Sequence, residues 1–321
     1  MKTSGVIAAV VCGLALSAGA SAQKADPISE NAAVYMTFQS DAEDVAAKPF
    51  KNAGDLDSAL NTLGGYNADQ LTRGWMAYSA LIAAQDPEFA ATVRDIEAFY
   101  GREPVMKSFA AGNNYARSLA GGDNAVGSAI AVTDTDLPKI YSNAAIIKEQ
   151  GYSLQGYGWA KSRIRNGSQR AETVKVLQGK GASADNLIVT ALTMTTPLTG
   201  ETKAGIINAA ATSEDVAGAV RLPAFMTSGF TGKRQKVKYG KEAVANQIAS
   251  LAAMRVIGAG AVDQARLAKV MSEPAVQSCL KMQNLQLQGC VAGVGQEFEL
   301  PHCISQHTLT EVADCLGDVY K

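Results

Sequence analysis

Cys279, Cys290, Cys303 and Cys315 stand close to the C-terminal end with the spacing C-x10-C-x12-C-x11-C. If the chain around them is helical, this spacing constrains the fold more tightly than any other feature. Eleven residues make close to three turns, so Cys279 and Cys290 face one side of a helix about 16.5 Å apart, and the twelve-residue interval from Cys303 to Cys315 spans about 18 Å. Gly293-Val294-Gly295 and Pro301 lie between the two pairs and supply a turn. An antiparallel hairpin then brings Cys290 to Cys303 and Cys279 to Cys315.

Geometry selects among the three pairings that four cysteines permit. A bond needs Cα atoms within about 7 Å, which excludes Cys279 with Cys290 along one helix. Crossed pairing demands parallel helices that so short a connection cannot join. The nested pairing is therefore expected, each closure contributing about 3 to 4 kcal/mol against a typical net stability of roughly 5 to 15 kcal/mol. Over this hairpin alone, the arrangement resembles the paired-cysteine helical hairpins of the mitochondrial CHCH proteins; its intervals differ from their CX9C repeat, and the likeness is one of geometry. The only two histidines, His302 and His307, share the region, so a thiolate–imidazole metal site is the rival reading. The short C-x2-C spacings of zinc sites are missing, and an oxidising compartment favours disulfides.

That compartment is indicated by the N-terminus. Lys2 precedes an apolar stretch, Val6 to Ala20, and Ala20-Ser21-Ala22 offers the small residues a signal peptidase requires. Cleavage after Ala22 is expected. A stretch of about 15 residues is short of the roughly 20 that span a bilayer. Cys12 falls inside it, follows Val10-Val11 rather than small residues, and reads as discarded with the signal. No later stretch is long enough for a membrane span, so no transmembrane segment is expected after cleavage.

The processed chain reads as mainly α, a multi-helix body of αα-hairpins followed by the disulfide-stapled antiparallel helical hairpin. Alanine is abundant, and aromatic residues make up only 6%. Residues 23–52 read as a loosely structured segment with a short helix around Ser40 to Ala47. Residues 53–227 form the helical body. Leu56, Leu60 and Leu63 make one apolar edge; Asn67 and Gln70 suggest a capping box before Leu71, Trp75, Tyr78 and Ile82. Asp86-Pro87 stops that helix and starts another bearing Phe89, Val93, Ile96 and Tyr100, and the two should pair as an αα-hairpin. Short helices are expected from Phe109 to Ala131, then a longer one from near Asp136 that either breaks at Gly151 and Gly156 or continues under a close neighbour. A helix is read over Glu172 to Gln178. Leu187 to Met194 is read as helix because no partner strand is evident, and Pro197, Gly200 and Pro223 punctuate the chain beyond Met194. Residues 228–240 form a basic, glycine-containing linker, and 241–321 a helical region ending in the hairpin.

Chemistry is harder to find. The formal charge is −1, and the balance of signs calls for neither nucleic acid nor an anionic membrane. Ser278-Cys279-Leu280-Lys281 matches S-x-x-K without its companion motifs, and Tyr157 with Lys161 matches Y-x-x-x-K without a dinucleotide fingerprint. A Ser-His-Asp triad would have to use a histidine beside Cys303. No catalytic residue, metal ligand or cofactor is assigned. Two surfaces stand out as candidates for binding: the glycine-interleaved aromatics Tyr152, Tyr157 and Trp159, and the basic residues Lys233, Arg234, Lys236 and Lys238. The sequence thus points to an exported, non-enzymatic structural or binding protein of the cell envelope, periplasmic or secreted, whose partner is an envelope protein or polymer. The alternative is a periplasmic hydrolase that attacks an envelope polymer through carboxylates no motif reveals.

Overall fold

The computed structural model describes residues 26–194 and 230–318. The expected signal segment, the punctuating Pro197, Gly200 and Pro223, and Ser228-Gly229 of the basic segment lie outside the described residues. Within them the chain forms helices and a single isolated bridge, between Arg163 and Gln296, and no strand.

The first helix overturns the expectation of a loose N-terminal segment. α1 (Pro27–Ala47) starts where the Asp26 side chain accepts from the Ile28 and Ser29 backbone N–H groups, with Pro27 in the first turn. Ile28, Ala32, Tyr35, Phe38, Ala42 and Val45 are buried along one stripe, the spacing of an amphipathic helix facing the core. The short helix expected from Ser40 is only its second half.

α2 (Ala53–Gly64) is capped by Asn52 and Asp55 reciprocally. α3 (Ala68–Ala83) begins at Asn67, which accepts from the Gln70 N–H at 2.9 Å. The Gln70 side chain leaves the capping box and instead accepts from the Ala182 N–H at 3.0 Å while donating to its carbonyl. Trp75, Met76, Ala77, Tyr78, Ala80 and Ile82 are all buried, so α3 is covered on every side beyond its first turns. Its neighbours are α1, α6 (Gly122–Leu154), α9 (Glu242–Val256) and α11 (Pro274–Gly293). Gly74 makes the tightest of these approaches possible, because a Cβ there would lie 2.9 Å from the Asn31 carbonyl oxygen and 3.1 Å from Tyr35 Cβ.

α4 (Pro87–Tyr100) starts at the expected cap, Asp86 accepting from Phe89 N–H at 3.0 Å. It packs chiefly on α5 (Arg102–Phe109) and α9, whereas α3 takes α1 as its main partner. The physical reason lies in the two surfaces. From Gly74 to Ala83 every residue of α3 is buried, and α1 meets it with Tyr35, which lies 5.2 Å from Tyr78 ring to ring; α4 buries only Phe89, Ala90 and Val93.

α6 starts well before Asp136 and runs for 33 residues through Pro138, about 50 Å at the standard rise. Gly121, in the left-handed region at φ 79°, ends the turn that precedes the helix, Gly122 is its first residue, and Gly127 lies inside it. The helix also continues through Gly151 to Leu154. α7 (Gly167–Lys180) and α8 (Asn186–Met194) come next, the latter helical as expected. Arg170 of α7 is a buried tie: its Nη1 and Nη2 donate to Glu297 at 3.0 and 3.2 Å, and its Nε lies 2.7 Å from Asp57 Oδ1. Burial alone would lower its pKa, but the two carboxylates outweigh that and raise it.

From Phe230 to Gly240 the chain lies against the body. Gln235 N–H donates to the Gly127 carbonyl at 3.0 Å, and Arg234 reaches Asp86 at 3.1 Å. α9 and α10 (Gln264–Val270) belong to the same core cluster as α1 to α8.

The stapled hairpin closes the fold. Cys279 and Cys290 ride on α11; Cys303 is on α12 (Leu300–Ile304) and Cys315 on α13 (Glu311–Gly317). The bonds are Cys279–Cys315 and Cys290–Cys303, each with Cα atoms 5.7 Å apart, the nested pairing. Twelve residues on a regular helix would rotate Cys315 about 120° from Cys303, against about 20° for the eleven-residue arm. A π-helical turn, Ser305–Thr310, lies between α12 and α13 and takes up the surplus residue. Tyr141 of α6 donates to Asp314 at 2.6 Å, fastening the hairpin to the body. Burial, followed by the neighbouring carboxylate, pushes the Tyr141 phenol well above its ordinary value, so it stays a donor.

Candidate functional site

The C-terminal part of α6 faces the hairpin turn across a groove of about 370 Å³. Lys148, Gly151, Tyr152 and Gln155 form one wall, at the three- and four-residue spacing that puts them on one helix face. The opposite side comes from the last turn of α11, with Cys290 and Gly293, and from Val294, Phe298, Glu299, His302 and Cys303 beyond it.

Two contacts set the width. At Gly151 a Cβ would stand 2.9 Å from Pro301 Cβ and 3.3 Å from the Phe298 carbonyl oxygen, so glycine lets α6 and α12 close at one end. This is the close neighbour that keeps the helix from breaking there. The Cys290–Cys303 bond fixes α11 to α12 and forms part of the lining.

The chemistry of the groove depends on how its polar groups are used. Glu299 is committed to the turn, its Oε2 accepting from Gly295 N–H at 2.7 Å and Gln296 N–H at 3.1 Å. Lys148 and His302 are exposed, and neither side chain has a hydrogen-bond partner among the described residues. Tyr152 is 55% exposed. Val294 and Phe298 pack against the core and supply an apolar floor. An apolar floor with a cation, an imidazole and an aromatic ring at its rim suits a small amphipathic anion.

No family model, curated protein or solved structure matches this chain. The site is therefore read from its own geometry.

The structure separates the residues that the sequence grouped. Of the aromatic candidates, Tyr152 lines the groove, Tyr157 is 57% exposed beyond the end of α6, and Trp159 packs against the core in a 3-10 turn. They form no common platform. Of the basic candidates, Lys233, Lys236 and Lys238 are exposed, while Arg234 pairs with Asp86 and donates to Ser128 Oγ at 3.2 Å. The four cysteines are consumed in disulfides. His307 sits away from the groove in the π turn, its Nδ1 2.7 Å from Glu311 Oε2. Among the described residues no group of three or more His, Cys, Asp or Glu side chains is placed to hold a metal ion.

Sequence reading missed Lys148, Val294, Phe298 and Glu299, which have no motif. The available signal was Gly151 and Pro301, two residues that permit close approach, in segments about 150 positions apart in sequence.

Proposed function

We propose that the protein is exported, loses residues 1–22, and serves outside the cytoplasm as an envelope-associated binding protein whose groove beside Cys290–Cys303 takes a small amphipathic anion. One observation carries this reading: the groove's floor is apolar and pinned by a disulfide, while its rim presents Lys148, His302 and Tyr152 to solvent. Two disulfides fit an oxidising compartment, and none of the described helices is long and apolar enough to cross a membrane.

The hydrolase reading asks for two carboxylates flanking a scissile bond. The groove has one carboxylate, Glu299, and the turn already holds it. This favours binding over hydrolysis at this place.

Anilinonaphthalene sulfonate, an apolar ring system with one anionic group, is a direct probe. Fluorescence titration should give saturable binding that Lys148→Gln weakens and Tyr152→Ala or Phe298→Ala largely removes. Binding unchanged in all three variants would sink the groove as the ligand site. For export, the mature N-terminus in the extracytoplasmic fraction should be Gln23; an intact Met1 there contradicts cleavage.

A further inference from the structure

Between Phe230 and Lys241 the chain carries Lys233, Arg234, Lys236, Lys238 and Lys241 and not one acidic residue, although the whole sequence has a formal charge of −1. The structure makes this run an ordered strap. Phe230 and Val237 pack against the core, Gln235 N–H donates to the Gly127 carbonyl, and Arg234 is held by Asp86 and Ser128. With these positions fastened to the body, Lys233, Lys236 and Lys238 are exposed, and none has an ion-pair partner among the described residues. Lys241 donates to the Asp318 carbonyl, and the next acid along the chain is Glu242. Tyr239, between Lys238 and Gly240, is 99% exposed.

We propose that this strap docks the protein on an anionic membrane surface. The lysines meet headgroup phosphates, a contact that strengthens with each basic residue near the surface. The Tyr239 ring, with an apolar body and a polar tip, seats at headgroup level, where tyrosine is enriched. A soluble phosphate polymer offers the ring no such layer, which is why the bilayer is the preferred partner. The attraction is local, concentrated where Phe230, Arg234, Gln235 and Val237 hold the strap to the body, and needs no excess of positive charge over the whole chain. It is independent of the groove beside the Cys290–Cys303 bond.

The test is co-sedimentation of the full chain with vesicles of phosphatidylcholine alone and of phosphatidylcholine containing about a third phosphatidylglycerol. Binding is expected only to the second, and it should fall as salt is raised. The variant Lys233→Gln/Lys236→Gln/Lys238→Gln should bind about a hundred-fold more weakly, and Tyr239→Ser several-fold more weakly. Both variants carry the same N-terminus as the parent, so any contribution of residues 1–22 cancels. Equal binding to both vesicles, no binding to either, or an unchanged triple variant overturns the proposal. An unaffected Tyr239→Ser variant removes the ring from it. Retention on polyphosphate beads without vesicle binding replaces the bilayer with a soluble polyanion and also overturns it.

Discussion

The two disulfides are nested, and this makes their energetic contributions unequal in a calculable way. Taken alone, closing Cys290 to Cys303, 13 apart in sequence, contributes about 3 kcal/mol, and closing Cys279 to Cys315, 36 apart, about 3.8 kcal/mol. With the inner bond in place, the outer one closes an effective loop of only about 25 residues and contributes about 3.5 kcal/mol. The cycle then leaves about 2.7 kcal/mol for the inner bond when the outer one is intact, and about 6.5 kcal/mol for both. Cys279→Ala/Cys315→Ala should therefore cost more stability than Cys290→Ala/Cys303→Ala, although the inner pair lines the groove. Urea denaturation followed by circular dichroism measures the loss, and anilinonaphthalene sulfonate reports the groove. The inner variant should lose most of its probe binding, and the outer one should keep it at low urea. A larger stability loss from the inner pair, or a combined loss under about 2 kcal/mol, would refute the loop-closure reasoning.

Single contacts give further outcomes. Gly74→Ala places a methyl group 2.9 Å from the Asn31 carbonyl oxygen and should cost about 1 to 3 kcal/mol in the same denaturation assay. Arg170→Met strands the partly buried Glu297 and should cost about 3 kcal/mol, which replacing Glu297 by Gln in the same chain should partly restore. Asp41 gives a pH signature. Burial raises its pKa despite the hydrogen bond it accepts from Tyr66 at 2.7 Å, and Asp44 and Asp185 push the same way. A carboxyl raised on folding stabilises the folded state when protonated, below its unfolded value of about 3.9, and that contribution is lost as pH rises through the folded value. Asp41→Asn, which keeps an acceptor for Tyr66, should thus be more stable than the parent near neutral pH, with the gain vanishing at acid pH; a less stable variant at neutral pH contradicts this.

Local chemistry was the legible part of the sequence. Asp86-Pro87 announced α4 because a side-chain acceptor followed by a residue lacking an N–H is a helix start in almost any context. Asp26-Pro27 is the same signal at the start of α1, and reading 23–52 as a loose segment passed over it. The cysteine pairing was legible because helical rise and bond reach are fixed lengths. What stayed hidden depended on distant partners. Gly127 and Pro138 each disfavour helix in isolation, and α6 nonetheless passes through both because it packs along α1, α3 and the hairpin. The groove was invisible for the same reason, since its walls come from residues 148–155 and 290–303. Trp159 looked like a surface aromatic beside Tyr157 until the end of α6 turned it inward.

The π turn gives the hairpin a vernier. One arm counts eleven residues between its cysteines and the other twelve, and Ser305–Thr310 is where the longer arm stores the difference. Removing one residue from that turn should let the arm relax into an uninterrupted α-helix with both bonds intact, whereas removing one between Cys279 and Cys290 should throw the arms two steps out of phase. Deletion scanning along the hairpin should therefore reveal a single tolerant window, and that window is the place where a length change in this protein can be absorbed without moving either staple.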